Sequence, residues 1–256
     1  MAAQIHQFLC LKDNFAVLIH DPATRATAAI DAPEAAPILA ALEARRWALT
    51  DVLVTHHHFD HVQGLAGLKA KFPRARIIGP AKEAEKMGGL DLAAGEGDRI
   101  AIGALEARVI EVPGHTSGHI AYWFASEEVL FAGDALFALG CGRGFEEPPE
   151  VLYHSLLKLA ALPGATRVYC GHEYTLANAR FALSVDPANE ILKERARKIA
   201  LQCEAGEFTL PTTIATELAT NPFLRVNDPK IQDTLGMKGS KPAAVFTELR
   251  ERKNRF

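Results

Sequence analysis

Short apolar segments separated by turn residues dominate the first two thirds of the chain. Residues 15–20 and 27–30 predict the two strands of a hairpin, joined by a turn at residues 21–23, where aspartate and proline occur. Apolar positions at helical spacing predict a helix over 34–46. The same patterns predict further strands at 51–54, 77–79, 99–102, 105–112, 120–124, 129–132 and 167–170, and further helices at about 62–71 and 150–161. This alternation is typical of an α/β domain.

After residue 174 the pattern changes, because strand-like runs disappear and helical spacing takes over. Helices are predicted at about 176–183, 189–205 and 241–253. The sequence therefore predicts an α/β domain over residues 1–173, followed by a helical subdomain over 174–256. No flexible linker separates the two, so we expect the helical part to pack tightly on the first.

The composition is that of an ordinary globular protein, with 48% hydrophobic and 23% charged residues among 256. No apolar run approaches the roughly 20 residues that cross a bilayer. The N-terminal residues lack a secretory signal, so we expect a cytoplasmic protein with no membrane partner. The net charge of −3 argues against a nucleic-acid partner. The four cysteines form no CxxC pair and are expected to be free thiols without a catalytic role.

Three histidines, an aspartate and a fourth histidine crowd into residues 56–61, directly after a predicted strand. Side chains two residues apart in an extended chain point the same way, so His56 and His58 can bind one metal ion. Asp60 and His61 follow where the chain turns into a helix, and we expect them to face a second ion. Crowding these groups costs electrostatic free energy unless cations bind.

Three further candidate ligands each follow the end of a predicted strand. They are His115, Asp134 and His172, and each is preceded by a glycine, which permits backbone conformations that a side chain forbids. Separate strand ends that each present one ligand are what a metal site at one edge of a β-sandwich requires. The sequence therefore predicts seven ligands for two ions.

The remaining histidines carry less information, because a single histidine is more often a surface or core residue than a metal ligand. We assign no role to those at positions 6, 20 and 154. His57 alternates away from its neighbours and is expected to be structural or to hydrogen-bond behind the ligands. For His119, a hydrogen-bonding role behind the ligands and simple packing both stay open.

The motifs THHHFDH, PGHTSGH, AGD and CGHEYT, in this order, resemble those of the metallo-β-lactamase superfamily. The narrower resemblance is to the glyoxalase II (hydroxyacylglutathione hydrolase) family. It rests on residues 11–15, 140–143, 170–175, 221–225 and 250–256, which extend over the whole chain. The chain departs from the family pattern at Gly144, where a bulky apolar residue is usual, and at residues 146–149, where a Glu-Gly turn is usual.

The resemblance implies an αββα sandwich, the metallo-β-lactamase fold, followed by a helical glutathione-binding subdomain. The cofactors it implies are two divalent metal ions per chain, with zinc favoured and iron or manganese as alternatives. The two ions share Asp134 as a bridging ligand, and the other ligands form two sets: His56, His58 and His115 for one ion, and Asp60, His61 and His172 for the other.

The implied reaction hydrolyses the thioester of S-D-lactoylglutathione, or of another S-(2-hydroxyacyl)glutathione, in the second step of methylglyoxal detoxification. A hydroxide held by the two ions attacks the carbonyl carbon, with Asp60 and Asp134 as catalytic residues. The leaving thiol has a pKa near about 8.5, so it departs without a strong general acid. A small-molecule glutathione thioester is the implied partner, and we expect a monomer. The residues implied to bind the substrate are Arg143, Phe145, His172, Tyr174, Arg250 and Lys253.

Other functions fit parts of the same pattern. A persulfide dioxygenase with one iron would share His56, His58, His115 and Asp134, but it would need no second metal and no Arg-x-x-Lys in a helical tail. A lactonase or a β-lactamase fits the ligands, whereas residues 221–225 and 250–256 argue against both. A scaffold protein that has lost catalysis would be expected to lack one or more ligands, and none is lost here.

Overall fold

The computed structural model of the chain describes residues 2–256, and these residues form two compact units. The first unit contains the described residues up to Glu111 together with Gly118–Gly133. The second unit contains Val112–Ser117 and Asp134–Phe256. The candidate ligands between residues 56 and 61 lie in the first unit, and His115, Asp134 and His172 lie in the second.

Among its described residues, the first unit contains ten strands and three α-helices. The strands are β1 (Gln4–Cys10), β2 (Asn14–His20), β3 (Thr27–Ile30), β4 (Asp51–Leu53), β5 (Arg76–Pro80), β6 (Leu92–Ala94), β7 (Arg99–Ile102), β8 (Leu105–Glu111), β9 (Ile120–Phe124) and β10 (Val129–Gly133). The helices are α1 (Ala35–Arg45), α2 (Phe59–Val62) and α3 (Leu65–Lys71), with short 3₁₀ turns at Ala81–Met87 and Ala125–Glu127.

Two sheets form the first unit. Strands β1 to β6 lie in sequence order in one sheet, with antiparallel pairing from β1 to β3 and parallel pairing from β3 to β6. Strands β7 to β10 form an antiparallel meander. The Tyr122 hydroxyl on β9 donates to the carbonyl of Val54 at 2.8 Å, so the meander faces the end of β4. On the mixed sheet, Ile38 and Leu42 of α1 and Leu68 of α3 join one buried apolar cluster.

The second unit contains four short strands and six α-helices among its described residues. The strands are β11 (Leu136–Phe137), β12 (Gly140–Cys141), β13 (Arg167–Cys170) and β14 (Thr212–Thr213). The helices are α4 (Pro149–Ala160), α5 (Thr175–Val185), α6 (Glu190–Glu204), α7 (Ile214–Thr220), α8 (Pro229–Leu235) and α9 (Pro242–Arg255), with a 3₁₀ turn at Pro222–Leu224.

Buried polar side chains organise the loops of the second unit. Asn221 is fully buried and donates to the carbonyls of Phe137 and Gly140 at 3.3 and 2.9 Å, so it holds the β11–β12 hairpin. Its own side-chain oxygen accepts from the Phe223 N–H and caps the following 3₁₀ turn. Asn221 belongs to the 221–225 segment, which is part of the family resemblance, and it stabilises this hairpin.

The α/β class and the helical C-terminal region are confirmed, and so is the β2–β3 hairpin. One predicted element is wrong in detail: the single helix over 62–71 is two helices that meet near Gly64. The Gly64 N–H donates to the carbonyl of Ala32 at 2.9 Å, and a Cβ on Gly64 would lie 2.8 Å from the Ala35 nitrogen. This close approach of a distant segment interrupts the helix. The prediction also omitted the strands β1, β6, β11, β12 and β14 and the short helices α7 and α8.

In residues 2–256, none of the helices combines the length and the apolar character that a membrane crossing requires.

Candidate metal centre

The candidate ligands of the first unit lie in the loop that leaves β4, which carries His56 and His58, and in the short helix α2, which carries Asp60 and His61. The Val54 N–H still pairs with the Ile78 carbonyl at 2.7 Å, and the chain then turns away from the strand. His56 Nε2 lies 3.1 Å from His58 Nδ1, so the alternation inferred from the sequence does bring these two nitrogens together. The His61 ring centroid lies 4.1 Å from that of His56, and His61 Nε2 lies 3.6 Å from Asp60 Oδ2.

Asp31 contacts two of these histidines at Nδ1, His61 directly and His56 through Thr55, although no sequence motif marks it as a functional residue. It is buried just after β3, with a positive φ of 56°. Its Oδ2 accepts from His61 Nδ1 at 2.9 Å and from the Thr55 hydroxyl at 3.0 Å, and the same hydroxyl lies 3.0 Å from His56 Nδ1. A carboxylate on Nδ1 fixes the tautomer that leaves Nε2 as a metal ligand. The sequence signal that could have indicated Asp31 is its position directly after the predicted strand at residues 27–30.

Asn14 fixes the position of Asp60. Its side-chain amide donates to Asp60 Oδ2 at 2.9 Å and to the Asp60 carbonyl at 3.1 Å, and Asn14 itself is only 4% exposed. The 11–15 motif of the sequence analysis therefore has a local physical role. Through Asn14, it orients the Asp60 carboxylate, which is expected to ligate a metal.

The two histidines of open role occupy different environments. His57 Nδ1 lies 2.9 Å from Glu83 Oε2, which fits its expected structural role. His119 is fully buried, and its ring stacks on His56 with centroids 4.7 Å apart and an interplanar angle of 20°. Gly133 makes room for His119, since a Cβ there would lie 2.8 Å from its Nε2. His119 therefore supports the ring of a candidate ligand.

The second unit holds the other three candidate ligands as one group. Asp134 Oδ2 lies 3.5 Å from His115 Nε2 and 3.3 Å from His172 Nε2, so the carboxylate is central to the two rings. His115 Nδ1 lies 2.9 Å from the Arg143 carbonyl, which fixes its tautomer and leaves Nε2 facing Asp134. All three residues are at most 6% exposed.

Glycines allow the close approaches that this second group needs. A Cβ on Gly114, whose φ is 142°, would lie 2.7 Å from the Cα of Leu152, and a Cβ on Gly142 would lie 2.0 Å from the Asp134 carbonyl oxygen. The departure at Gly144 has a similar explanation, because a Cβ there would lie 2.9 Å from the Glu147 carbonyl oxygen. The small residue and the altered 146–149 turn therefore belong together. In that turn, Glu146 accepts from the Ser117 N–H at 2.8 Å, beside the His115 loop.

Aromatic rings predicted to contact substrate lie close to this group. Tyr174, 38% exposed, stacks on His172 with centroids 4.7 Å apart and planes inclined by 6°. Phe145, 56% exposed, meets His115 edge-on at 5.2 Å, and the Arg143 guanidinium lies 5.0 Å from the Phe145 ring centre. Exposed aromatic surface beside buried ligands is suited to an organic substrate.

The two basic residues of α9 differ in their surroundings. Arg250 is buried, with Nη1 donating to the carbonyls of Cys141 and Gly142 at 2.8 and 3.3 Å. Lys253 is half-buried and donates to the Ala177 carbonyl at 3.3 Å. Burial, and then the positive charge of Arg250, lower the pKa of Lys253 below its ordinary value. An ammonium with a lowered pKa gains from a nearby anion.

The cysteines do not provide an alternative nucleophile. All four are free thiols. Burial raises the pKa of Cys141 and of Cys170, and burial together with Glu34 raises that of Cys10 to about 12. Because the thiolate is the reactive form, such thiols are inert at neutral pH.

The donor chemistry of each set fits a divalent metal ion. Imidazole nitrogens lie 3.1–3.6 Å from one another or from a carboxylate oxygen. The Nδ1 atoms of His61 and His115 are hydrogen-bonded to the oxygens of Asp31 and Arg143, which leaves Nε2 available in each ring. Nitrogen and carboxylate oxygen ligands without thiolate suit zinc, iron or manganese. Without a cation, this arrangement would place several lone pairs against one another.

Comparison with known proteins defines the class. Residues 8–172 match the model of the metallo-beta-lactamase superfamily, and residues 173–256 match that of the hydroxyacylglutathione hydrolase C-terminus. A solved metallo-beta-lactamase from Staphylococcus aureus has a TM-score of 0.67 at 18% identity, covering 98% of this chain and 71% of that one. The structure of ETHE1 from Myxococcus xanthus has the same TM-score at 25% identity and covers 98% of both chains. The fold is therefore the metallo-β-lactamase fold, as expected.

Curated relatives then select one family within this class. A hydroxyacylglutathione hydrolase of Mesorhizobium japonicum is 54% identical over 256 residues, the full length of both chains. One of Rhizobium johnstonii is 54% identical over 253 residues, 99% of this chain and 98% of the relative. The chain belongs to the hydroxyacylglutathione hydrolase family.

Proposed function

We propose that this chain hydrolyses the thioester of S-D-lactoylglutathione and of other S-(2-hydroxyacyl)glutathiones, giving glutathione and the free 2-hydroxy acid. Full-length identity of 54% to a named hydroxyacylglutathione hydrolase is the observation that carries this proposal. The reaction would be the second step of methylglyoxal detoxification, in the cytoplasm and by a monomeric enzyme. The division at residue 173, with the helical part as the glutathione-binding subdomain, belongs to the same proposal and is supported by the ranges that the two family models match.

We further propose that two divalent ions, with zinc favoured, bind the seven predicted ligands and that Asp134 bridges them. The geometry inside each set supports this, because Asp134 Oδ2 lies within 3.5 Å of both histidines of its group. Ions bound there would lower the pKa of a water to about 7, which would provide a nucleophile at neutral pH. The remaining ligands in the proposal are His56, His58, Asp60, His61, His115 and His172.

The chain's own residues contribute orientation and proton handling. Asn14 holds Asp60 Oδ2, so this carboxylate can accept a hydrogen bond from the attacking water in a fixed direction. The thioester needs little help at the leaving group, because a thiol with a pKa near about 8.5 departs as a thiolate. Asp60 and Asp134 are therefore the proposed catalytic residues.

The proposed glutathione site consists of aromatic and cationic groups. Tyr174 and Phe145 offer exposed rings, and Arg143 and Lys253 offer positive charge for the carboxylates of glutathione. Arg250 Nη1 is occupied by the Cys141 and Gly142 carbonyls, so a carboxylate would use Nη2. His172, already a proposed ligand, completes the set of residues near the substrate.

The test is a spectrophotometric assay with S-D-lactoylglutathione, beside metal analysis of the same sample. We expect turnover and close to two metal equivalents per chain in the wild-type protein. Asp134→Ala should abolish hydrolysis while the protein stays folded. Asp233→Ala is the matched control, because Asp233 is an exposed aspartate of the same unit whose nearest ion-pair partner, Lys238, is 3.8 Å away. Unchanged turnover in Asp134→Ala would contradict the proposal.

A persulfide dioxygenase is the alternative that the same sample can test. One iron per chain, with oxygen uptake on glutathione persulfide and no thioester hydrolysis, would favour that activity over the one proposed.

A further inference from the structure

Glu83 is a buried carboxylate within a run of charged residues. It lies in the 3₁₀ turn Ala81–Met87 after β5, within the charged run Lys82, Glu83, Glu85 and Lys86. The other three charged residues of the run are exposed, whereas Glu83 is 2% exposed. Since an ionised carboxylate is costly to bury, its partners should indicate a role.

The carboxylate of Glu83 joins two loops of the first unit, using a separate oxygen for each. Its Oε2 accepts from the His57 backbone N–H at 2.8 Å, and its Oε1 accepts from the Gly118 N–H at 2.9 Å. The His57 ring adds a contact, with Nδ1 2.9 Å from Oε2. Among the residues that the structure describes, no lysine or arginine pairs with Glu83, so these N–H groups provide its stabilisation.

Both loops position the same candidate metal ligand. His57 lies between His56 and His58, whose facing nitrogens are 3.1 Å apart. Gly118 precedes His119, whose ring stacks on His56. The fit around Gly118 is close, because a Cβ there would lie 2.6 Å from Glu83 Cγ. The Glu83 carboxylate therefore fixes the backbone next to His56 and also the backbone next to His119, whose ring stacks on His56.

We propose that Glu83 is a positioning residue that holds His56 and His58 in their metal-binding arrangement before any metal is bound. The inference rests on the proposed function only in that these histidines bind an ion. Ligands fixed in advance lose less conformational freedom when the ion arrives, and so the ion binds more tightly.

The main experiment compares zinc affinity, measured by competition with a chelator, in wild-type protein and in Glu83→Gln. The glutamine is nearly isosteric but carries only one acceptor oxygen, so one of the two loops loses its bond. We expect zinc affinity to fall by about 10- to 100-fold, the usual effect of removing a group that orients a ligand. Affinity within twofold of the wild-type value would overturn the proposal.

Asp21→Asn is the matched control for a merely structural effect. Asp21 is a carboxylate of the same unit that accepts from the Ala23 and Ala104 N–H groups and from no residue of the ligand loops. We expect it to lower Tm without changing zinc affinity. A fall in affinity as large in Asp21→Asn as in Glu83→Gln would show that general destabilisation is the cause, and would overturn the proposal.

Hydrogen exchange of the unsubstituted protein provides a test that does not depend on a variant folding. In metal-free protein, the amides of His57 and Gly118 should already be protected from exchange, as they are when zinc is bound. Rapid exchange of both amides in the metal-free form would show that the metal creates the arrangement, contrary to the inference.

The two proposals fail in distinguishable ways. Glu83-dependent zinc affinity in a protein that hydrolyses no glutathione thioester would support the role of Glu83 and overturn the proposed function. Thioester hydrolysis together with unchanged zinc affinity in Glu83→Gln would overturn the role of Glu83 alone.

Discussion

At the scale of single residues, Asp31 shows how one side chain can prepare two metal ligands. Its Oδ2 accepts from His61 Nδ1 directly and contacts His56 through the Thr55 hydroxyl. We expect Asp31→Asn to lower metal affinity and turnover by about 10- to 100-fold, because the amide holds the His61 tautomer less firmly than a carboxylate does. The measurements are zinc competition and the thioester assay.

Asp51→Asn is the appropriate control for this variant. Asp51 is also a buried aspartate of the first unit, but it pairs with Arg76 at 2.6 Å and not with a candidate ligand. Equal losses of zinc affinity in the two variants would argue against a specific role for Asp31.

The ionisation of Asp21 should make the stability of the protein depend on pH. Hydrogen bonds from the Thr24 hydroxyl and from the Ala104 N–H lower its pKa from 3.8 to about 2. Because the pKa is lowered in the folded state, the stabilisation from ionised Asp21 is complete above pH 3.8 and is lost as the pH falls toward 2. We therefore expect Tm to fall over this range, and to fall less steeply in Asp21→Asn. Parallel profiles of Tm against pH for the two proteins would contradict this assignment.

At the scale of elements, α9 combines a stabilising arginine with a lysine that opposes folding. Burial and the neighbouring Arg250 lower the pKa of Lys253, so the charged form is disfavoured in the folded state. At pH values between the lowered pKa and the ordinary value of 10.5, the unfolded chain binds the Lys253 proton more readily than the folded chain does. The stability of the protein should therefore rise as the pH rises through this range. A residue that opposes folding is often kept for function.

We expect Lys253→Met to raise Tm by about 1–4 °C at neutral pH. It should also raise KM for S-D-lactoylglutathione by about tenfold, since a charged hydrogen bond to the substrate is lost. Arg255→Met on the same helix is the control, because the Arg255 side chain is 65% exposed and its ion pair with Glu251 is long, at 3.8 Å. An unchanged KM in Lys253→Met would remove Lys253 from the proposed glutathione site.

At the scale of the whole molecule, the candidate ligands are distributed over both compact units. An ion that binds only the folded chain stabilises it by about 4 kcal/mol when its free concentration is 1000 times Kd. For a chain of this length, removing such ions should lower Tm by about 10 °C. A thermal melt with and without chelator measures the effect.

Asp134→Ala provides the internal comparison for chelation, because loss of the proposed bridging ligand should leave little metal to remove. We expect chelator to shift its Tm much less than that of the wild-type protein. A wild-type Tm that does not respond to chelator would contradict metal binding by the folded chain.

The sequence by itself determined the fold class, the hairpin after the N-terminal strand and the identity of the candidate ligands. These follow from local information, since periodicity reports which face is buried and His-x-His spacing sets two rings on one side. The facing nitrogens of His56 and His58 are the clearest case. The family followed from motifs that extend over the whole chain.

Only the tertiary structure decided which polar residues support those ligands. Asp31, Asn14 and Glu83 reach their partners across 24 to 46 positions in the chain, so no local pattern identifies them. The same holds for Arg250, which lies on an amphipathic helix yet is buried against Cys141, 109 positions away. Whether a buried charge has enough N–H or carbonyl partners depends on segments that meet only in the folded chain, and this requirement decided where these side chains lie.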